Sequence, residues 1–341
     1  MVAAVPTIVI DARDAFAPEL RGWGRYVREL VDALPRRDDL GYRVVKRGGA
    51  GPEVLFEQVA LPLRLAATRA SLVHAPNCFL PLIRPCPGVV TIHDLAFELF
   101  PEDFAPRTGW KYRTFTPRAA RSAQRVICVS NFTAADVVRR YGVDEERVRV
   151  VTEAPSLPIG DARPPSEDGP YLLAVGDLRP KKNLLRLVEA FRALRREGLE
   201  HRLVLAGVDS GEGERVLAAS GGEPVELTGY VSDARLDALM RGADALVYPS
   251  LYEGFGLVLV EAMARGVPVV AARATALPET AGDAAEYFDP LDVTEMAAAI
   301  RRVLADAERR AELIARGYER VSELSWTRTA EETVAVYEEL L

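Results

Sequence analysis

The sequence is poor in the residues that several kinds of chemistry require. It has three cysteines (Cys78, Cys86 and Cys128) and three histidines in 341 residues, with no closely spaced pair of cysteines or of histidines. That excludes a disulfide framework and leaves no pattern for a structural zinc, and it fits a reducing compartment. No run of about 18 apolar residues occurs, so no segment is expected to span a bilayer. Residues 2–10 are apolar but short and lack a basic leader, so they read as a first buried strand and not as a signal peptide. Basic residues are not in excess: 43 Lys and Arg stand against 50 Asp and Glu, a net charge of −7. Sequence-independent nucleic-acid binding needs a basic face and is not expected. Asp-x-Asp is missing, so no carboxylate cluster is offered to a divalent ion on a diphosphate. Gly-x-Ser-x-Gly, Walker A and Cys-x-x-Cys are missing too, which leaves hydrolase, NTPase and redox readings without support.

What is present is the material of two ordinary domains. Hydrophobic residues make up 49% and charged residues 27%, the balance of a globular α/β chain. Twelve short β-rich runs alternate with longer helical patterns. They lie at Thr7–Ala12, Tyr42–Lys46, Leu72–His74, Val89–His93, Val126–Ser130 and Val148–Val151, then Tyr171–Val175, Arg202–Ala206, Val225–Thr228, Ala245–Tyr248, Val267–Ala271 and Ala285–Phe288. The runs are continuously apolar, which predicts parallel strands buried on both faces. Leu184, Leu187, Val188, Phe191 and Leu194 show the helical spacing between them. This alternation predicts two Rossmann-like, doubly wound domains. It breaks at residues 154–170, where Pro155, Pro158, Pro164, Pro165 and Pro170 mark a linker. The expected division is 1–155, a linker at 156–168, and 169–325. Two such sheets facing each other would bring the loops at their strands' carboxyl ends to one cleft.

Four loops carry the chemistry. Ser250-Leu-Tyr-Glu-Gly-Phe-Gly-Leu257 follows a strand and precedes a helix expected from about Gly256. Gly254 and Gly256 let backbone approach a ligand, and the helix start offers N–H groups to phosphate or sugar oxygens. Glu253 on the loop and Glu261 inside the helix suit hydroxyls better than phosphate; the alternative is a tight turn with two solvated glutamates. Gly176-Asp-Leu-Arg-Pro-Lys-Lys-Asn183 places Arg179, Lys181 and Lys182 in four positions, which suits a diphosphate, with Asn183 as a helix cap; alternatively it is a solvated basic turn. Gly22-Trp-Gly24-Arg-Tyr26 lacks the third glycine of a dinucleotide fingerprint and reads as a loop opening a helix. His93-Asp94 ends a buried strand, where a catalytic and a structural histidine are both open readings.

In this order, the motifs resemble the retaining glycosyltransferase family 4 of GT-B fold, over nearly the whole chain and most closely from Tyr171 to Pro290. Glu253 and Glu261 look like that family's E-x7-E pair, and Val175–Asn183 like its phosphate loop. Thr228-Gly-Tyr-Val-Ser-Asp233, which contains Val231, is similar to its segment beside the nucleotide base. Leu277–Ala285 and Tyr287–Pro290 resemble the tail of its bacterial members. The resemblance implies that Glu261 binds ribose hydroxyls. It implies that Glu253, with Gly254, Phe255, Gly256 and Leu257, holds the donor sugar and its phosphates. Lys182, helped by Arg179 or Lys181, would neutralise the leaving diphosphate. Gly22 and Gly24 would approach that diphosphate from the first domain, His93 would contact the sugar near its C6 hydroxyl, and Asp94 would orient the acceptor. Many members carry an arginine directly after the loop glycine, where this chain has Asp177, so the partner of Lys182 is left open between two cations.

The activity implied is transfer of a sugar, first of all mannose from GDP-mannose, to a glycan or lipid-linked acceptor, with retention and without a metal or other cofactor. UDP- or dTDP-sugars are alternative donors. A silent sugar-nucleotide-binding scaffold and a nucleotide-sugar epimerase are readings of other classes. The implied mechanism is same-face attack by the acceptor with the departing phosphate as base. The last helix, 326–341, would cross back to the first domain through Ala330, Val334 and Tyr337. Residues 97–125 interleave Phe97, Phe100, Phe104, Trp110, Tyr112 and Phe115 with six basic side chains. They read either as peripheral contact with the inner face of a membrane by a cytoplasmic enzyme, or as a helix with buried aromatics.

Overall fold

The computed structural model describes residues 5–17, 20, 22–48, 52–158 and 169–341. Pro164, Pro165 and most of the expected linker lie outside the described residues. The chain divides into two compact units, Met1–Ala154 with Leu324–Leu341, and Pro155–Glu323.

The first unit carries β1 (Thr7–Asp11), β2 (Gly41–Val45), β3 (Leu72–Ala75), β4 (Gly88–Ile92), β5 (Arg125–Cys128) and β6 (Val148–Val150). All pair in parallel, in the order β2-β1-β3-β4-β5-β6. The connecting helices are α1 (Gly22–Ala33), α2 (Glu53–Leu55), α3 (Leu61–Ala67), α4 (Ala96–Leu99), α5 (Pro106–Ser122) and α6 (Asn131–Tyr141), with a π turn at Phe56–Ala60 joining α2 to α3. α6 shows why such elements start and stop where they do. Ser130 accepts a hydrogen bond from the Thr133 N–H, and Gly142 takes the left-handed conformation at the other end.

The second unit carries β7 (Tyr171–Val175), β8 (Arg202–Ala206), β9 (Val225–Gly229), β10 (Ala245–Tyr248), β11 (Val269–Ala272) and β12 (Ala285–Phe288), again all parallel, in the order β12-β11-β10-β7-β8-β9. Its helices are α7 (Leu184–Arg196), α8 (Gly213–Ser220), α9 (Asp233–Gly242), α10 (Leu257–Met263), α11 (Leu277–Ala281), α12 (Val293–Ala305) and α13 (Ala307–Ser322). The apolar stripe of α7 is buried as its spacing predicts. Truncating Phe191, fully enclosed there, would cost about 3–5 kcal/mol.

Each of the twelve runs is a strand. Burial on both faces holds for the inner strands, but β2, β6 and β9 are only partly buried. They lie at sheet edges, where one neighbour is missing. The final helix, α14 (Trp326–Glu338), is capped by Ser325 and belongs to the first unit, where Trp326 meets Tyr26 edge-on. Ala330, Val334 and Tyr337 are all buried, and Tyr337 bonds His74 of β3. Among the described residues no helix is long and apolar enough to cross a membrane.

Residues 97–125 spend much of their basic-aromatic character inward. Tyr112 packs against Phe79, Phe97, Phe104 and Trp23. Lys111 pairs with Glu53 and Glu57, Arg121 bonds the Tyr141 carbonyl, and Arg125 pairs with Glu339. Trp110 stays exposed.

Candidate functional site: the β7 and β10 loops

In the second unit the chain winds outward from β7 to β9 on one side and from β10 to β12 on the other. The reversal between β7 and β10 is where a parallel sheet opens a crevice at its carboxyl edge. Two of the four candidate loops leave from these two strands. They are stitched together: Leu251 N–H donates to the Lys181 carbonyl, and Asn183 Nδ2 donates to the carbonyls of Pro249 and Pro290. Asn183 was expected to cap α7 with its side chain. It makes no such bond and instead ties three loops, from a left-handed conformation with φ of 57°.

Glu253 lies on the loop that follows β10, at this switch point. Its Oε1 lies 2.6 Å from Lys182 Nζ and 3.0 Å from the Tyr248 hydroxyl, and Lys182 Nζ also reaches that hydroxyl at 2.7 Å. Lys181 Nζ approaches the other carboxylate oxygen at 3.9 Å. Burial pushes a carboxyl up, but the Lys182 and Lys181 charges outweigh it and bring Glu253 down to about 2. Burial also drives the Tyr248 hydroxyl well above its ordinary value, so it stays protonated and can donate. The backbone of Glu253 is fixed as well, its N–H donating to Thr275 Oγ1 at 3.0 Å. The reading of Glu253 as a solvated turn residue is therefore excluded: it is buried and three side chains converge on it.

The other expected cation behaves differently. Arg179 Nη2 pairs with Asp177 at 2.8 Å, so the acidic residue that replaces an arginine in this chain is matched by a neighbouring one. A small cavity lies beside Lys182, lined by Gly176, Tyr248 and Ser250 among others. Gly176 is needed there: its φ is 139°, and a Cβ would stand 2.8 Å from Lys182 Cε. Gly254, Phe255 and Gly256 are buried, and Gly256 takes φ of 98° as the cap from which α10 starts at Leu257. The first N–H groups of a helix have no intrahelical partner and face outward from such a start.

Glu261, one turn into α10, is committed to protein partners. Its Oε1 accepts from Ser156 N–H at 2.6 Å, Leu157 N–H at 2.9 Å and the Ser156 hydroxyl at 3.2 Å. Its Oε2 accepts from Arg265 at 2.8 Å. Arg265 is itself fully buried and continues to Asp237 and to the carbonyls of Leu157 and Pro158. Val231 is half-buried in the turn between β9 and α9.

In the first unit His93 is buried, with Nε2 2.8 Å from the Pro76 carbonyl and Nδ1 3.2 Å from Glu153. It stacks on Trp23 and meets Tyr26 edge-on. Asp94 accepts from the Ala96 N–H at the start of α4. The expectation of a Gly22–Gly24 loop is corrected, because both residues lie in the first turn of α1. Gly22 is exposed, whereas Gly24 packs on backbone: a Cβ there would stand 2.6 Å from the Asp14 carbonyl oxygen.

Among the partners that sequence reasoning did not single out are Tyr248, Thr275, Glu153, Ser156 and Arg265. Tyr248 had a usable signal, as the last strand residue before the glycine-bearing loop. Among the described residues no group of three His, Cys, Asp or Glu side chains is placed to hold a metal ion.

Comparison with known proteins bears on the same residues. Residues 160–320 match the family described as Glycosyl transferases group 1, and residues 38–153 match Glycosyltransferase Family 4. The chain is 32% identical over 283 residues to an O-antigen chain mannosyltransferase B of Escherichia coli, covering 78% of this chain and 74% of that one. A sucrose-phosphate synthase structure from Thermosynechococcus elongatus is similar with a TM-score of 0.75 and 25% identity, covering 98% of both chains. Anabaena HepE, solved in complex with UDP-glucose, is similar with a TM-score of 0.74 over 98% of this chain and 99% of that one; at 19% identity this likeness concerns the fold.

Proposed function

The chain belongs to glycosyltransferase family 4 and is a transferase of the GT-B fold, and from that premise we propose that it moves mannose from GDP-mannose to a glycan or lipid-linked acceptor, with retention of configuration and without a metal. The observation that carries this reading is the meeting of Lys182, Lys181 and Tyr248 on Glu253 at the switch point of the second sheet. A diphosphate entering there offers Lys182 a stronger anion than Glu253. Glu253, released, accepts from the sugar hydroxyls, while the N–H groups of Gly256 and Leu257 face the phosphates and Val231 lies beside the base. Glu261 reaches the ribose hydroxyls by exchanging part of its hold on Ser156.

Two further points support the assignment. Glu253 is buried and held as a hydrogen-bond acceptor by Lys182 and the Tyr248 hydroxyl, which suits it to accept from sugar hydroxyls. The acceptor then attacks from the face the diphosphate leaves, and the departing phosphate takes its proton. Charge stabilisation falls to two lysines, and among the described residues no cluster of carboxylates is placed to hold a divalent ion. Mannose is favoured because the Escherichia coli relative is named a mannosyltransferase.

A UDP-sugar donor is the second reading, because HepE, a protein of the same fold, was solved with UDP-glucose. Thermal shift separates the two, since a ligand that binds only the folded state raises Tm. GDP is expected to raise it more than UDP, and GDP-mannose to release GDP undiminished in excess EDTA. A larger shift with UDP transfers the assignment to the second reading. Activity lost in EDTA and restored by magnesium removes the metal-free one.

A further inference from the structure

Among the described residues, the non-glycine positions with a left-handed backbone are Arg69, Cys78, Asn183 and Thr275. Thr275 is the β-branched one, with φ of 52°. Branching at Cβ makes this conformation unfavourable for threonine, whereas glycine or asparagine takes it readily. Strain of this kind persists only where surrounding contacts require it. Thr275 lies in the turn between β11 and α11, and that turn holds the loop of Glu253.

The turn and the loop are joined at successive points. Thr275 Oγ1 accepts from the Glu253 N–H at 3.0 Å. The Ala276 N–H reaches the Glu253 carbonyl at 3.4 Å, which is long for such a bond. Thr280, fully buried in α11, donates its hydroxyl to the Phe255 carbonyl. Leu277 packs on Gly256, where a Cβ would stand 2.7 Å from Leu277 Cδ2. The Thr275 bond is therefore the short tie on the backbone of Glu253 itself. It is made by a side chain, from a position where glycine would sit without strain. The hydroxyl accounts for the threonine.

That tie has a use in the exchange of partners described above. Lys182 and Tyr248 hold the Glu253 carboxylate. Once a diphosphate takes Lys182, the carboxylate loses its charged partner and the side chain can turn. Backbone that moved with it would carry the carboxylate away from the sugar. We propose that Thr275 is a positioning residue for the transfer reaction: its hydroxyl pins the Glu253 N–H, so that the released carboxylate meets the donor sugar in one orientation. The proposal rests on the donor-site reading of Lys182 and Glu253. It concerns the sugar end of the donor and not the nucleotide end, and every residue it uses belongs to the second unit.

Three variants separate the hydroxyl from the backbone conformation. Thr275→Val keeps size and branching and removes the hydroxyl. Thr275→Gly removes the hydroxyl and the strain together, and it serves if the valine variant does not fold. Thr275→Ser keeps the hydroxyl. Calorimetry on the full chain compares a nucleoside diphosphate with its sugar conjugate, GDP with GDP-mannose or UDP with UDP-glucose, according to which diphosphate wild type holds. Steady-state kinetics follows release of the diphosphate. Thr275→Val and Thr275→Gly should bind the free diphosphate within about twofold of wild type, less than one hydrogen bond is worth. They should bind the conjugate more weakly and lose roughly tenfold or more in kcat, the scale of a small misplacement at a reacting centre. Thr275→Ser should restore most of both. Turnover by the valine and glycine variants within about twofold of wild type overturns the role, since no hydrogen bond of consequence was then lost. An equal loss in the serine variant, or affinities for diphosphate and conjugate that fall together, overturns it too. Failure of the donor-site reading shows elsewhere: wild type and Lys182→Ala would then bind the diphosphate alike, whatever the Thr275 variants do.

Discussion

Lys182 Nζ and Glu253 Oε1 stand 2.6 Å apart, so the ion that would neutralise a leaving diphosphate is held by the carboxylate that would hold the sugar. Both side chains are about nine-tenths buried, and a charge left alone there is costly. Donor binding on this reading is an exchange of partners. Lys182→Ala removes the charge on the leaving group and should lower turnover by a factor of roughly 100 or more. Glu253→Gln removes the competitor of the phosphate; GDP should bind at least as tightly as to wild type while transfer falls. Steady-state kinetics and calorimetry check the pair, and near-wild-type transfer by Lys182→Ala contradicts the assignment.

The question of which cation assists Lys182 has a geometric answer. Arg179 is matched by Asp177 at 2.8 Å, whereas Lys181 faces the second oxygen of Glu253 at 3.9 Å. Lys181→Ala should therefore reduce kcat/KM by about tenfold or more, the scale of one charge-assisted contact, and Arg179→Ala by less. The reverse ranking would return the role to Arg179.

Glu261 carries two loads, and its variants should separate them. Glu261→Ala strips Arg265 of one carboxylate and leaves the Ser156 and Leu157 N–H groups without their acceptor. Arg265 keeps Asp237, so the loss is expected at the lower end for a broken buried pair, about 3 kcal/mol in a urea melt. Calorimetry with GDP, at a temperature where the variant is folded, reads the other load. Weakened binding supports the ribose role, and an affinity within about twofold of wild type contradicts it, since a lost hydrogen bond to a charged group is worth more.

The fold was legible because it rests on local pattern. Buried parallel strands must be continuously apolar, and each such run became a strand. The loops of Glu253 and Lys182 were legible for the same reason, since both follow strands directly. What stayed hidden was pairing across distance. Nothing near Glu261 in sequence announces Ser156, 105 residues away, and nothing near His93 announces Glu153. Asn183 and Gly24 were misread because each has a common local use, a cap and a loop, while tertiary contacts assign it another.

His74 gives the first unit a dependence on pH that is separable from the donor site. It is fully buried, with Nδ1 2.7 Å from the Tyr337 hydroxyl and Nε2 2.8 Å from Thr91 Oγ1, and it joins β3 to α14. Burial brings its pKa down from 6.5 to about 3, with His93 adding to the effect. A depressed folded-state value means that the unfolded chain binds the extra proton first. The stabilisation is complete above about pH 6.5, declines as pH falls below it, and is fully lost only below about pH 3. At pH 5 the loss amounts to about 2 kcal/mol. Replacing His74 by Gln, which has no titrating ring, should flatten the urea-stability profile between pH 7 and pH 4 at the expense of stability at pH 7. Tyr337→Phe, which leaves His74 Nδ1 without a partner, should cost about 1–3 kcal/mol at neutral pH. An unchanged pH profile in the His74 variant would assign the acid sensitivity to carboxylates instead.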